Sequence, residues 1–158
     1  MLKKHLSLPK ATWKDERCAS MRYIAKAYLG KNDPVLAEHW LWRAMAEAPY
    51  LREPFMDLAW VKYTQENWEA VIYLTGLALD IQERARTYIT ENTAWGSLPW
   101  DLRALGFFYT GQIKKAHEAI DQALHEWLRE CAPDQRRVFV NTLFDILQST
   151  NAVQLSDM

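Results

Sequence analysis

Helix breakers are scarce in this chain: its 158 residues include only five glycines and six prolines, fewer than a turn-rich β fold requires. Helices are expected. Cysteine is scarcer still, and Cys18 and Cys131 lie far apart outside any CxxC pattern, which suits reduced thiols in a cytoplasmic protein better than a disulfide framework. No sign of charge dominates, with 19 Lys and Arg against 20 Asp and Glu, so no global field attracts nucleic acid. Long apolar runs are missing as well. The longest uncharged stretch, Ile146 to Ser156, is half polar, and Lys3, Lys4, His5 and Lys10 are not followed by the apolar core of a secretory signal. Neither a membrane span nor a membrane partner is expected. What remains is 49% hydrophobic and 25% charged, the balance of one globular domain too short for a multidomain enzyme.

Local signals divide the chain into helices. Thr12-Trp13-Lys14-Asp15 has capping-box spacing and predicts a helix running towards Leu29. Gly30 ends it, and Asp33-Pro34 starts the next with a carboxylate cap and a proline in the first turn. Glu53-Pro54 repeats that device before a segment with Phe55, Leu58 and Ala59 on one face, and Asn67 caps a helix through Leu79. Residues 83–96 carry no helical period and are expected to form an ordered insertion. Pro99 opens a helix to Tyr109, Gly111 breaks it, and a long helix follows from Ile113 to Cys131. Pro133-Asp134 begins a last one, with Val140, Leu143, Phe144 and Leu147 at helical spacing, before a polar tail from Ser149.

Paired helices call for a test of internal repetition. Ala25, Tyr28, Ala37, Leu41, Ala44 and Pro49 have the small and large spacing of the 34-residue tetratricopeptide (TPR) repeat. Moving on 34 residues reaches Ala59, Val71 and Ala78, with Lys62 in place of Tyr28. Another 45 residues reaches Ala104, Phe107, Gly111, Ala116, Ile120 and Ala123, and the eleven extra residues fall in the insertion. The expected fold is all-α, a TPR-like right-handed α-solenoid of three helix pairs with a C-terminal capping helix. It spans residues 12–148, with an extension at 1–11, the insertion at 83–96 and a tail at 149–158. Most aromatics, among them Trp13, Trp40, Phe55, Trp68 and Trp100, are expected in the core.

Transferring the ligand-facing TPR positions gives a groove. The first repeat contributes Arg22 and Lys26, the second Glu53, Met56, Trp60 and Tyr63, and the third Asp101, Leu105, Phe108 and Tyr109. These would form a basic end, an aromatic middle and an acidic margin. In the insertion, Arg84, Arg86, Thr87, Tyr88 and Glu91 cluster beside Trp95, either as a recognition loop or as arginine stems covering an apolar seam. Catalytic signatures are few. No glycine pattern cradles phosphate, no aspartate stands two residues from another, and His117, Asp121 and His125 at i, i+4, i+8 fit a solvated helix face better than a metal site. Neither metal nor cofactor is expected.

Three segments resemble one particular family. Ala46 to Ala59, Glu83-Arg-Ala-Arg-Thr-Tyr-Ile89 and Ala94-Trp-Gly-Ser-Leu-Pro-Trp-Asp-Leu102 together are similar to the helical region that follows the catalytic domain of bacterial family-two glycosyltransferases. Ala85 stands where that pattern has proline. The resemblance implies an accessory role, presenting an acceptor or mediating assembly, in a fragment or stand-alone relative that does not itself transfer sugar. The expected function is thus a protein or peptide bound in the groove. A structural or homo-oligomerising role and carbohydrate stacking on Trp95 and Trp100 are the alternatives.

Overall fold

The computed structural model describes residues 1–131, 133 and 135. The last expected helix and the tail lie outside the described residues. Among those described there are seven α-helices and no strand: α1 (Leu2–Leu6), α2 (Lys14–Gly30), α3 (Pro34–Glu47), α4 (Glu53–Thr64), α5 (Trp68–Asp80), α6 (Leu98–Tyr109) and α7 (Ile113–Glu130). A short 3-10 turn at Asn92–Trp95 interrupts the irregular segment between α5 and α6. From α1 to α7 each helix packs on the next, and α2 with α4, and α4 with α6, are also in contact.

The same turn is built three times. Asp33, Asn67 and Gln112 each donate a backbone N–H to the carbonyl five residues earlier, on Tyr28, Lys62 and Phe107. The residue before each has a left-handed backbone: Asn32 at φ 59°, Glu66 at φ 55° and Gly111 at φ 78°. These positions are separated by the 34 and 45 residues of the sequence repeat. Asp33 and Asn67 then cap α3 and α5, accepting from the N–H groups of Leu36 and Ala70.

Glycine and asparagine tolerate the left-handed region, whereas a glutamate there crowds its Cβ against the carbonyl. Glu66→Gly is therefore expected to stabilise the fold by about 1 kcal/mol, read as a higher midpoint in urea denaturation.

Small residues fill the seams between these helices. Ala25, Ala37, Ala44, Ala59, Val71, Ala78, Ala104, Ala116 and Ala123, nine positions of the repeat register, are all buried. At the α5–α6 crossing, a Cβ on Gly106 would stand 2.7 Å from Ile72 Cγ1 and 3.2 Å from the Trp68 carbonyl oxygen. Only glycine allows that approach.

The aromatics behave differently from expectation. Trp40 and Phe55 are buried, Trp68 and Trp100 are half-buried, and Trp13 is exposed, as are Trp42 and Trp60. Seams closed by alanine leave too little space between helix axes for indole rings, which settle at the margins.

Two expected caps are also replaced. No side chain caps α2 at Thr12, because helix α2 begins one residue later behind Trp13. The Asp15 carboxylate instead accepts from the Tyr50 hydroxyl at 2.6 Å, a bond that pushes the phenol up to about 12. Glu53 lies inside the first turn of α4 rather than ahead of it. Residues 2–6, expected only as part of an extension, form α1. It is held where His5 Nδ1 meets Ser20 Oγ at 2.9 Å and Arg17 donates to the Leu6 carbonyl at 3.0 Å.

Candidate functional site

The insertion folds back onto α2 and α4, and one buried arginine holds it. Arg22, 4% exposed, donates through Nε to Asp57 Oδ2 at 2.6 Å and pairs with Glu91 Oε1 at 2.9 Å. Burial alone would lower its pKa, but the two carboxylates outweigh burial and raise it above the ordinary arginine value. Lys26 reaches the same Glu91 oxygen at 3.5 Å. From α4, Glu53 Oε1 accepts from the Glu91 backbone N–H at 3.1 Å and from Trp95 Nε1–H at 3.0 Å. Its Oε2 is buried without a protein partner, and the residue borders a cavity of about 10 Å³, the size of one water.

Trp95 is covered on its face as well as at its edge. The Arg52 guanidinium lies 4.2 Å above the ring and also donates to the Ile81 carbonyl at 2.7 Å. That burial lowers the Arg52 pKa. A ring so covered is poorly placed to stack on a sugar, and Trp100 packs against the core between α6 and α7. Elsewhere in the insertion, Arg84 bonds to the Asn92 side chain, Arg86 is exposed, and Tyr88, 80% exposed, meets the Trp13 ring at 5.9 Å.

Three of the ten groove residues expected from the sequence are therefore buried: Arg22, Glu53 and Met56. Arg22 is neutralised within the chain, so the basic end of the groove reduces to Lys26. Met56, Asp57, Trp60, Ala94 and Leu98 line a cavity of about 270 Å³ beside Glu91. Next to it α6 presents Leu105 and Phe108, both exposed. Asp101, also on α6, has its carboxyl pushed up by partial burial against an opposing Ser97 hydrogen bond.

The structure joins the remaining aromatics into one chain of rings. Trp60 lies 5.2 Å from Tyr63, Tyr63 5.8 Å from Trp68, Trp68 4.3 Å from Tyr109 in a stacked pair, and Tyr109 5.4 Å from Phe108. Trp68, expected in the core, is the link between α4 and α6 in this row.

Asp57 and Arg52 were not among the expected site residues. A signal for Asp57 existed, because the 34-residue register sets Arg22 level with Met56 on the neighbouring helix. Nothing local marked Arg52.

His117, Asp121 and His125 lie on the exposed face of α7. Among the described residues no cluster of three or more His, Cys, Asp or Glu could hold a metal ion, and no helix is long and apolar enough to cross a membrane. Burial pushes the Cys18 thiol up to about 12, while Cys131 is half-exposed. A thiol reagent at neutral pH should accordingly label Cys131 in the native protein and Cys18 only after unfolding, as mass spectrometry of the labelled peptides would show. Equal labelling of both would contradict the packing of α2. No protein-family model, curated protein or solved structure matches the chain.

Proposed function

We propose that the chain is a non-catalytic protein-interaction module, a cytoplasmic TPR-like right-handed solenoid of three helix pairs. We also propose that it serves as the accessory, acceptor-presenting or assembly region of a family-two glycosyltransferase. The threefold turn and the buried small residues at repeat spacing support the architecture. One observation carries the function: an uninterrupted row of aromatic rings, three of them about half-exposed, crosses from α4 to α6 beside an apolar cavity. Rigid rings supply contact area at little entropic cost, so a bound peptide would draw most of its affinity from them.

A peptide array against the purified chain should return binders whose affinity falls at least about tenfold in Trp60→Ala combined with Leu105→Ala. Binders indifferent to both changes would remove the reading. A homo-oligomeric assembly role is the second reading, favoured by Ile113, Ile120 and Leu124, which stand exposed on α7. Sedimentation showing a monomer across micromolar concentrations would argue against it.

A further inference from the structure

The segment between α5 and α6 lies where the repeat positions place a ligand. Arg22, Lys26 and Glu53, three of the ten expected groove residues, all bind Glu91 of the same chain. Glu91 has extended backbone, at φ −97° and ψ 124°, and it is held in two ways. Its carboxylate meets the two cations, which select an acid, while its backbone N–H donates to Glu53 Oε1, a bond that extended chain of almost any sequence can make.

The covering segment is weakly built into the fold. Residues 81–91 form no helix or strand and none of them is buried, the features of a region that opens at low cost. Beneath it the surface is charged. Among the described residues five polar or charged ones are buried, and three of these, Asp15, Arg22 and Glu53, border the small cavity that Thr87, Ile89 and Thr90 close. Burying ionised groups is costly, so a surface covered for good is expected to be apolar, whereas one that opens keeps its charges. Beside Glu91 the segment also leaves open the cavity of about 270 Å³ at Met56 and Trp60.

We propose that residues 87–91 are a built-in ligand, occupying the binding surface of α2 and α4 until an extended acidic segment of a partner protein displaces them. The partner's carboxylate takes the place of Glu91 between Arg22 and Lys26, and a large apolar side chain next to it enters the cavity at Trp60. That second contact offsets the advantage of a ligand tethered at both ends. In naming a partner the inference rests on the interaction reading; the self-occupied surface does not.

The test uses a fluorescein-labelled peptide of residues 87–93, which carries Glu91 and no trypsin site. Its anisotropy is titrated against the native full chain and against Glu91→Gln, a change that removes the charge but keeps the backbone N–H held by Glu53. Competition from the tethered segment should make the native chain bind at least about tenfold more weakly than the variant. A Glu91→Gln version of the peptide should bind the variant about tenfold more weakly than the acidic one. In the native chain, excess acidic peptide should speed tryptic cleavage after Arg84 and Arg86 at least about fivefold, because cleavage follows the population of the open form. That readout does not depend on the variant folding. Equal affinity for native chain and variant, indifference to the charge of the peptide, or cleavage unchanged by the peptide would overturn the proposal. The expected gains without any array binder sensitive to Trp60→Ala and Leu105→Ala would leave the self-occupied surface standing and refute the interaction reading. Array binders without those gains would refute this inference alone.

Discussion

Arg22→Ala is expected to lower the unfolding free energy by about 3 kcal/mol, the lower end of the range for breaking a buried ion pair. The loss comes from the carboxylates left behind more than from the arginine. Asp57, with 19% of its side chain exposed, would keep a largely buried charge, whereas Glu91, at 36%, can regain water. The lower end of the range follows from that difference. Because Arg22 joins α2, α4 and the insertion, the same change should loosen residues 83–96, where Arg84 and Arg86 are exposed to trypsin. Urea denaturation would give the first effect and the rate of tryptic cleavage after those arginines the second. Lys26→Ala is the control: its side chain is 45% exposed and its ammonium 3.5 Å from Glu91, and its removal should change stability by less than about 1 kcal/mol. Matching results for Arg22 and Lys26 would rule out a buried latch.

Leu58→Ala should cost about 2–5 kcal/mol, the range for emptying a leucine-sized site in a packed interior. Leu58 is fully buried in α4, the helix that touches α2, α3, α5 and α6. Neighbours fixed on four sides cannot collapse into the space, so both the transfer and the cavity contributions are lost. Leu105→Ala removes the same atoms from α6, but at 36% exposure it should cost less than about 1 kcal/mol. Denaturation midpoints of the two variants measure the contrast directly. A small loss at Leu58 would mean that α4 is not the central helix of the domain.

Much of the fold was legible locally. Asp33 and Asn67 announce helix starts because each cap bond closes within three residues, and the alanines of the repeat mark the seams because close helix approach admits little else. Where expectation failed, a distant group had taken over a local one. Asp15 serves Tyr50, 35 residues away, and Glu53 serves Trp95, 42 residues away. Spacing on one helix carries no record of such partners. Trp13 and Trp68 were misplaced for a related reason: helical periodicity assigns a ring to a face, but the width of the seam decides whether that ring is inside it, as Trp40 and Phe55 are.

For the candidate site the division is similar. Trp60, Tyr63, Phe108 and Tyr109 could be placed on one surface from repeat positions alone, but Trp68 could not, since its link to Tyr109 depends on how closely α5 and α6 meet at Gly106.

By itself, then, the sequence determined the helices from α2 to α7 and the 34- and 45-residue spacing of their repeat, because these rest on bonds or contacts between near neighbours. The tertiary structure alone decided that the insertion lies against α2 and α4, that Arg22 is consumed within the chain, and that five rings join into one row. These depend on charges and ring faces brought together from far along the chain, and only the packed arrangement of helices sets those distances.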